Sequence, residues 1–247
     1  MIKNIKDSIK AAARIIVFSL FSVVAVSIYL TVTARRKNSV RRWWARNCAR
    51  IINLKTDVRG VPPKAPFFLV SNHLSYVDVI SLMSELDCVF VAKSDVANWF
   101  GLGTLANVTG TIFINREQKR NIIPTLEKIE KTLSEETGVV VFAEGTSTKG
   151  DAVLPFKASL FDHAAKNNLS VHYSTLHYQT PKHEPSANLS VCWWGDMTFP
   201  DHFWQLCKLS EIRATITFGE SPIQNKDRKK LAKELWKAVN ENFVQVV

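Results

Sequence analysis

The sequence predicts an α/β protein, a mixed sheet of about seven strands flanked by helices, preceded by an N-terminal helical segment that associates with a membrane. Three observations carry this expectation. Past Asp57, short apolar runs alternate with segments of helical periodicity. Several of the short runs, such as Phe67–Ser71 and Val139–Phe142, are continuously apolar, as strands covered on both sheet faces are. At the other end of the chain, Ile15–Val32 is eighteen residues without a charge, about the shortest stretch that spans a bilayer core as a helix.

The elements follow in order. Lys3, Lys6, Lys10 and Arg14 precede the apolar segment, and Arg35, Arg36, Lys37, Arg41, Arg42, Arg46 and Arg50 follow it. The excess of cations on the C-terminal side places the bulk of the chain on the cytoplasmic face of the membrane. Val32-Thr33-Ala34 has the small residues of a signal cleavage site, but the apolar run is long for a leader and basic residues follow at once. Basic flanks on both sides also suit a segment that enters one leaflet, as a hairpin with a second helix at Val40–Leu54, where tryptophans and arginines alternate as in a headgroup layer. Residues 1–56 are therefore expected to be a membrane-anchoring helical segment and residues 57–247 a catalytic domain that keeps every strand. Strands are expected at Phe67–Ser71, Cys88–Ala92, Thr111–Ile114, Val139–Phe142, Val171–His177, Val191–Trp194 and Ile212–Phe218. Helices are expected at Ser75–Leu86, Arg120–Leu133, Ala158–Asn167, Asp201–Leu209 and Lys226–Phe243. In the second of these, Ile122, Leu126, Ile129 and Leu133 form a core-facing stripe that Gly138 then stops.

Composition excludes several classes. A chain of 247 residues, 46% hydrophobic, buries one substantial core and is neither disordered nor collagenous. Cys48, Cys88, Cys192 and Cys207 form no Cys-x-x-Cys pair, and His163, His172, His177, His183 and His202 form no ligand set, so neither a metal nor a disulfide framework is expected. The net charge of +10 asks for an anionic partner. Its cations cluster beside the apolar helix and among tryptophans, which fits an anionic bilayer surface, and no nucleic-acid-binding module is recognisable.

Chemistry enters at Asn72-His73-Leu74-Ser75-Tyr76-Val77-Asp78, where a strand ends and a helix begins, the usual position of ligand sites in open α/β sheets. An imidazole and a carboxylate this close can share a proton and activate a hydroxyl. On one ideal helix, a spacing of five residues would point the two side chains about 140° apart, so His73 must precede the helix for Asp78 to reach it. Ser75-Tyr76-Val77-Asp78 matches a capping pattern that starts the helix at Ser75. The same pattern offers a purely structural role for Asp78.

Two further segments follow in order, Gly110-Thr111-Ile112-Phe113-Ile114-Asn115-Arg116 and Phe142-Ala143-Glu144-Gly145-Thr146. Together the three blocks resemble the glycerolipid acyltransferase family, which acylates glycerol 3-phosphate, 1-acyl-glycerol 3-phosphate and related lysolipids. The resemblance runs from Pro66 to Tyr178, with weaker echoes to Pro222. It implies acyl transfer from acyl-CoA or acyl-carrier protein to a lysolipid hydroxyl, with no further cofactor. His73 would be the general base and Asp78 its orienting partner, while Arg116, Glu144, Gly145 and Thr146 would bind the acceptor headgroup. From their own positions, Lys93 after a strand adds a point charge for substrate, and Asn72 is a substrate-site candidate for shaping the turn, the common role of Asn. The implied acceptor is first 1-acyl-glycerol 3-phosphate, giving phosphatidic acid. Two departures open the alternatives of lyso-ornithine lipid or another lysophospholipid: Ser147-Thr148-Lys149-Gly150 replaces the Arg common after Glu-Gly-Thr, with Lys149 as a compensating cation, and Tyr173 stands where a fourth block carries Pro. Trp193-Trp194-Gly195-Asp196-Met197-Thr198-Phe199, followed by His202 and Trp204, is apolar enough to border an acyl groove or to form an aromatic core. A hydrolase using His73 on water is the second enzymatic reading, disfavoured in its serine form by the missing Gly-x-Ser-x-Gly. A non-catalytic lipid-binding protein is the third, opposed by the intact His73 and Asp78.

Overall fold

The structure, a computed structural model, describes residues 2–99, 101–114, 128–133, 135 and 137–247. Among them, seven strands form one sheet in the order β1-β7-β6-β2-β5-β3-β4. The strands are β1 Leu54–Arg59, β2 Phe68–Ser71, β3 Cys88–Lys93, β4 Ile112–Ile114, β5 Gly138–Phe142, β6 Val171–Gln179 and β7 Ile212–Phe218. All neighbours run parallel except β6 and β7, so the sheet is mixed as expected.

One expected strand is absent and another was unforeseen. Val191–Trp194 is not a strand: the amides of Val191 and Cys192 both bond the Ala187 carbonyl at the end of a short helix, which leaves none for a ladder. The seventh strand is β1 instead, an edge strand whose Lys55, Asp57 and Arg59 face outward while Leu54 is buried. Its polar alternation, on a strand paired on one side only, hides it from a search for apolar runs.

The helices are α1 Ile2–Thr31, α2 Ala34–Ile51, α3 Val77–Glu85, α4 Leu102–Val108, α5 at 128–133, α6 Asp162–Lys166, α7 Ala187–Ser190, α8 Phe199–Leu206 and α9 Arg228–Glu241. The first eight residues of the expected Arg120–Leu133 helix, and Asn115 and Arg116 of the second block, lie outside the described residues. On one face of the sheet Trp44, Cys48, Ile52, Leu82, Leu206 and Ile216 join a core built by α1, α2, α3, α7 and α8. On the other, Val70, Val141, Phe161, Leu231 and Leu235 join a core closed by α6 and α9.

Helix α1 doubles back on α2. Within it, Ile5–Thr31 is long and apolar enough to cross a membrane. Ala11, Ala25 and Tyr29 are buried on its inner face, whereas Ile9, Ile16, Leu20, Val23 and Val24 are exposed on its outer one. Polar bonds fasten the inner face along its length. Arg14 donates to the carbonyls of Cys207 at 3.0 Å and Leu209 at 2.6 Å, at the C-terminal end of α8, where a cation complements unpaired carbonyls and the helix dipole. Further along, Ser22 accepts from Trp44 Nε1 at 3.0 Å, and the Tyr29 hydroxyl accepts from Arg41 at 2.7 Å.

Helix α2 is a core helix more than a headgroup helix. Its Trp44, Ala45, Cys48 and Ala49 are buried, and three of its arginines are spent internally: Arg41 on the Thr109 carbonyl, Arg42 on the Asp87 carboxylate and Arg46 on the Ser84 carbonyl. Arg35, Arg36 and Arg50 face outward. A boundary between residues 56 and 57 therefore falls inside β1 and strips α2 from α3, because anchor and sheet share one core. Each large apolar side chain left uncovered forfeits about 1.5–3 kcal/mol. A chain beginning at residue 57 is expected to be insoluble or to lack a cooperative thermal transition; cooperative melting of that fragment would contradict this packing.

Candidate active site

Parallel strands β2 and β5 are adjacent, with Ser71 opposite Phe142, so the segments that leave their C-terminal ends emerge side by side. The first carries His73, the second Glu144. The His73 Nδ1 lies 2.7 Å from Asp78 Oδ2. An ionised carboxylate only accepts, which places the imidazole proton on Nδ1 and leaves Nε2 as the basic nitrogen. The His73 side chain keeps 21% of its exposure, whereas Asp78 has 0%.

Asp78 makes the contacts of both readings at once, to the imidazole and to the loop amides. Its Oδ2 also accepts the backbone amides of Leu74 at 2.7 Å and Ser75 at 3.0 Å, a capping contact that folds the His73 loop onto the helix start. The helix itself begins at Val77, and the Ser75 hydroxyl has no hydrogen-bond partner among the described residues, so only the carboxylate half of the capping pattern forms. The remaining oxygen, Oδ1, accepts from the Tyr178 hydroxyl at 2.8 Å. Tyr178, fully buried on β6, has no local sequence signal, since nothing within that strand links it to Asp78 a hundred residues earlier.

The third block grips the His73 backbone. Glu144 accepts from the His73 amide at 2.7 Å through one oxygen and from the Leu154 amide at 2.7 Å through the other. Burial dominates its titration and pushes the carboxyl up to about 7, against the lowering effect of the two amides. Thr148, also missed from sequence, donates its amide to the His73 carbonyl at 3.0 Å. The imidazole stacks on Phe142 at a centroid distance of 4.0 Å and an interplanar angle of 10°. Gly145 has φ +80° and turns the chain after Glu144. At Gly150, φ +82°, a Cβ would stand 2.7 Å from Val246 Cγ2, so only glycine lets the C-terminal segment close here.

Other expected site residues are placed differently. The side-chain amide of Asn72 accepts from the Leu176 amide at 2.7 Å and donates to its carbonyl at 3.0 Å. With 1% exposure it extends the β2–β6 pairing by one rung and shapes the turn, the commoner role of an Asn at such a position. Glu144 is likewise a buried brace, with both oxygens held by backbone amides. Thr146 is exposed at the turn. Lys93, at the end of β3, is engaged by Asp95, and Lys149 by Asp151 at 3.2 Å, carboxylates that an incoming anion would have to displace. Ser147 turns its hydroxyl to the Trp193 carbonyl.

The chain has counterparts among known proteins. The sequence profile of the Acyltransferase family matches residues 54–175. A lyso-ornithine lipid O-acyltransferase of Rhizobium meliloti is 32% identical over 200 residues, covering 73% of this chain and 67% of that protein. One from Rhodobacter capsulatus is 31% identical over 207 residues, 81% of this chain and 74% of that protein. A 1-acyl-sn-glycerol-3-phosphate acyltransferase of Neisseria gonorrhoeae is 28% identical over 169 residues, 68% and 65% of the two chains. The crystal structure of the 1-acyl-sn-glycerophosphate acyltransferase PlsC from Thermotoga maritima shares the fold, with a TM-score of 0.67 at 16% identity over 98% of this chain and 96% of that one. The protein belongs to the Acyltransferase family and is an acyltransferase.

The Glu144 brace has a pH signature. Its folded-state value lies above the ordinary carboxylate value, so the folded protein binds a proton more tightly than the unfolded chain, and the associated stability is present at low pH and lost as pH rises through about 7. Wild type is expected to lose thermal stability relative to Glu144→Gln between pH 5 and pH 8. A difference in melting temperature that stays constant over that range would show that Glu144 ionises normally.

Proposed function

We propose that the protein transfers a fatty acyl group from acyl-CoA or acyl-carrier protein to the free hydroxyl of a lysolipid, with His73 as general base. The observation that carries this is the 2.7 Å contact of His73 Nδ1 with the buried Asp78 carboxylate, which leaves Nε2 as the basic, partly exposed nitrogen. Nε2 takes the hydroxyl proton as the acceptor oxygen attacks the thioester carbonyl carbon. The carbon–sulfur bond then breaks, and the imidazolium, stabilised by Asp78, returns the proton to the departing thiolate. No acyl-enzyme is needed.

For the acceptor we favour lyso-ornithine lipid. Two relatives so named are 31–32% identical to this chain, and Ser147, in the position of an expected phosphate-binding Arg, has its hydroxyl committed to Trp193. An amino-acid headgroup has no phosphate to bind. The second reading, 1-acyl-glycerol 3-phosphate, is supported by Arg116, whose planar fork suits phosphate oxygens, and by the Neisseria relative. We propose the cytoplasmic membrane surface for the reaction, on the excess of cations that follows the apolar segment. The apolar outer face of α1 enters the lipid while its inner face stays fastened at Arg14, Ser22 and Tyr29, which favours a hairpin lying in one leaflet over a helix crossing both. Arg35, Arg36 and Arg50 supply outward charge for anionic headgroups.

Two measurements test this. His73→Ala is expected to lower kcat by about two to four orders of magnitude without unfolding the protein. Asp78→Asn should fold, because Asn retains an acceptor for the loop amides, yet lose most turnover; normal turnover in His73→Ala would end the general-base reading. A panel of lysolipids with mass-identified products decides the acceptor. Lyso-ornithine lipid should be acylated in preference to 1-acyl-glycerol 3-phosphate, and Arg116→Ala should leave its KM little changed. A strong preference for the phosphate acceptor, lost in Arg116→Ala, would establish the second reading instead.

A further inference from the structure

The segment from Cys192 to His202 takes no part in the chemistry above, yet it touches both the first and the third block. The Trp193 amide donates to the Leu74 carbonyl at 2.8 Å, and the Ser147 hydroxyl donates to the Trp193 carbonyl. The backbone of one residue thus ties the neighbour of His73 to the neighbour of Thr146. The Leu74 carbonyl is a group that neither Glu144 nor Thr148 engages.

One residue upstream, the Cys192 carbonyl lies 3.1 Å from His202 Nε2. A carbonyl only accepts, so His202 carries its proton on Nε2 and offers the Nδ1 lone pair to the Tyr76 hydroxyl, 2.8 Å away, which must be the donor. Tyr76 itself belongs to the first block, three residues after His73. The bonds therefore close a circuit from Leu74 through Trp193, Cys192, His202 and Tyr76 back along the chain.

The surroundings of this circuit are aromatic. The Tyr76 ring meets Trp193, Phe199 and Phe203 edge to face at centroid distances of 5.8, 5.0 and 6.2 Å, and His202 is 6% exposed. Burial holds the His202 pKa below its ordinary value, toward the neutral form that the circuit requires. Two apolar side chains would be cheaper to bury here. A phenol, an imidazole and a carbonyl in one donor order instead admit a single arrangement, since any other leaves a buried polar group unpaired.

We propose that Tyr76 and His202 are positioning residues for His73. They lock the Cys192–Trp193 backbone between the two blocks, and so fix where the imidazole stands relative to the acceptor hydroxyl. The proposal rests on the reading of His73 as the base of an acyl transfer.

The test uses full-length protein in detergent with the best acceptor of the lysolipid panel. Tyr76→Phe and His202→Leu are expected to fold and to keep the KM of both substrates within about two-fold, while kcat falls about 10- to 100-fold, the cost of misplacing a catalytic group by a fraction of a contact distance. His202→Gln, which offers both a donor and an acceptor, should recover part of the loss. Folded variants with wild-type kcat would overturn the proposal, as would a rise in KM at unchanged kcat, which would mark substrate contact. Should His202→Leu fail to fold, Tyr76→Phe decides alone, since it removes a single oxygen from a ring that stays in place. Wild type inactive on every lysolipid would sink the acyl-transfer reading and this proposal with it, whereas active wild type with unaffected variants sinks only the proposal.

Discussion

The Asp78 carboxylate is the group around which the rest is arranged. It is wholly buried, and an ion of this size without partners would cost several kcal/mol even after relaxation. Four donors reach it: the His73 ring, the Leu74 and Ser75 amides and the Tyr178 hydroxyl. They come from three different structural commitments. The two amides require the loop after β2 to curl over the helix start, the phenol requires β6 to lie beside β2, and the imidazole requires His73 to precede α3. The fold brings these together because unpaired charge at this point would be more costly than the constraint.

The same logic explains how tightly the His73 loop is held. Its amide, its carbonyl, the next carbonyl and one ring nitrogen all have partners, and the ring face lies on Phe142. What remains is one ring edge with some exposure. A general base must stand within hydrogen-bond reach of its substrate proton in a fixed direction, and a loop with one free degree of rotation would not provide that. Asn72 serves this end from a distance: by imitating a peptide group against Leu176 it continues the β2–β6 pairing past the last regular rung, and so sets the point at which the chain turns toward His73.

The sequence revealed what is local. The His73 and Asp78 pair, the strand-to-helix setting and most of the strands could be read from spacing and apolar runs, since each depends on residues close in the chain. Long-range meetings could not. Tyr178 is a hundred residues from Asp78, and nothing in β6 distinguishes it from a core tyrosine. Glu144 is a ligand candidate by family resemblance alone; its two amide partners, His73 and Leu154, are visible only in three dimensions. The arginines of α2 looked like a membrane face for a similar reason, and three of them turned out to bind the protein's own acceptors at Thr109, Asp87 and Ser84. Charge patterns announce that a partner exists without saying whether it is internal.

Helix α1 joins these themes. Its length and hydropathy are those of a membrane span, yet its inner face is built into the enzyme. Arg14 caps α8, and Phe18 packs on Phe203 of that helix at 5.2 Å, which in turn contacts Tyr76 of the first block. The apolar outer face and the catalytic loop are thus separated by two layers of packed side chains, with no linker between them. On the proposed function, a lysolipid acceptor keeps its acyl chain in the bilayer while its hydroxyl reacts, and His73 as base then needs a fixed distance from that surface. Packing the anchor into the core supplies that distance through rigid contacts, and a flexible tether would not.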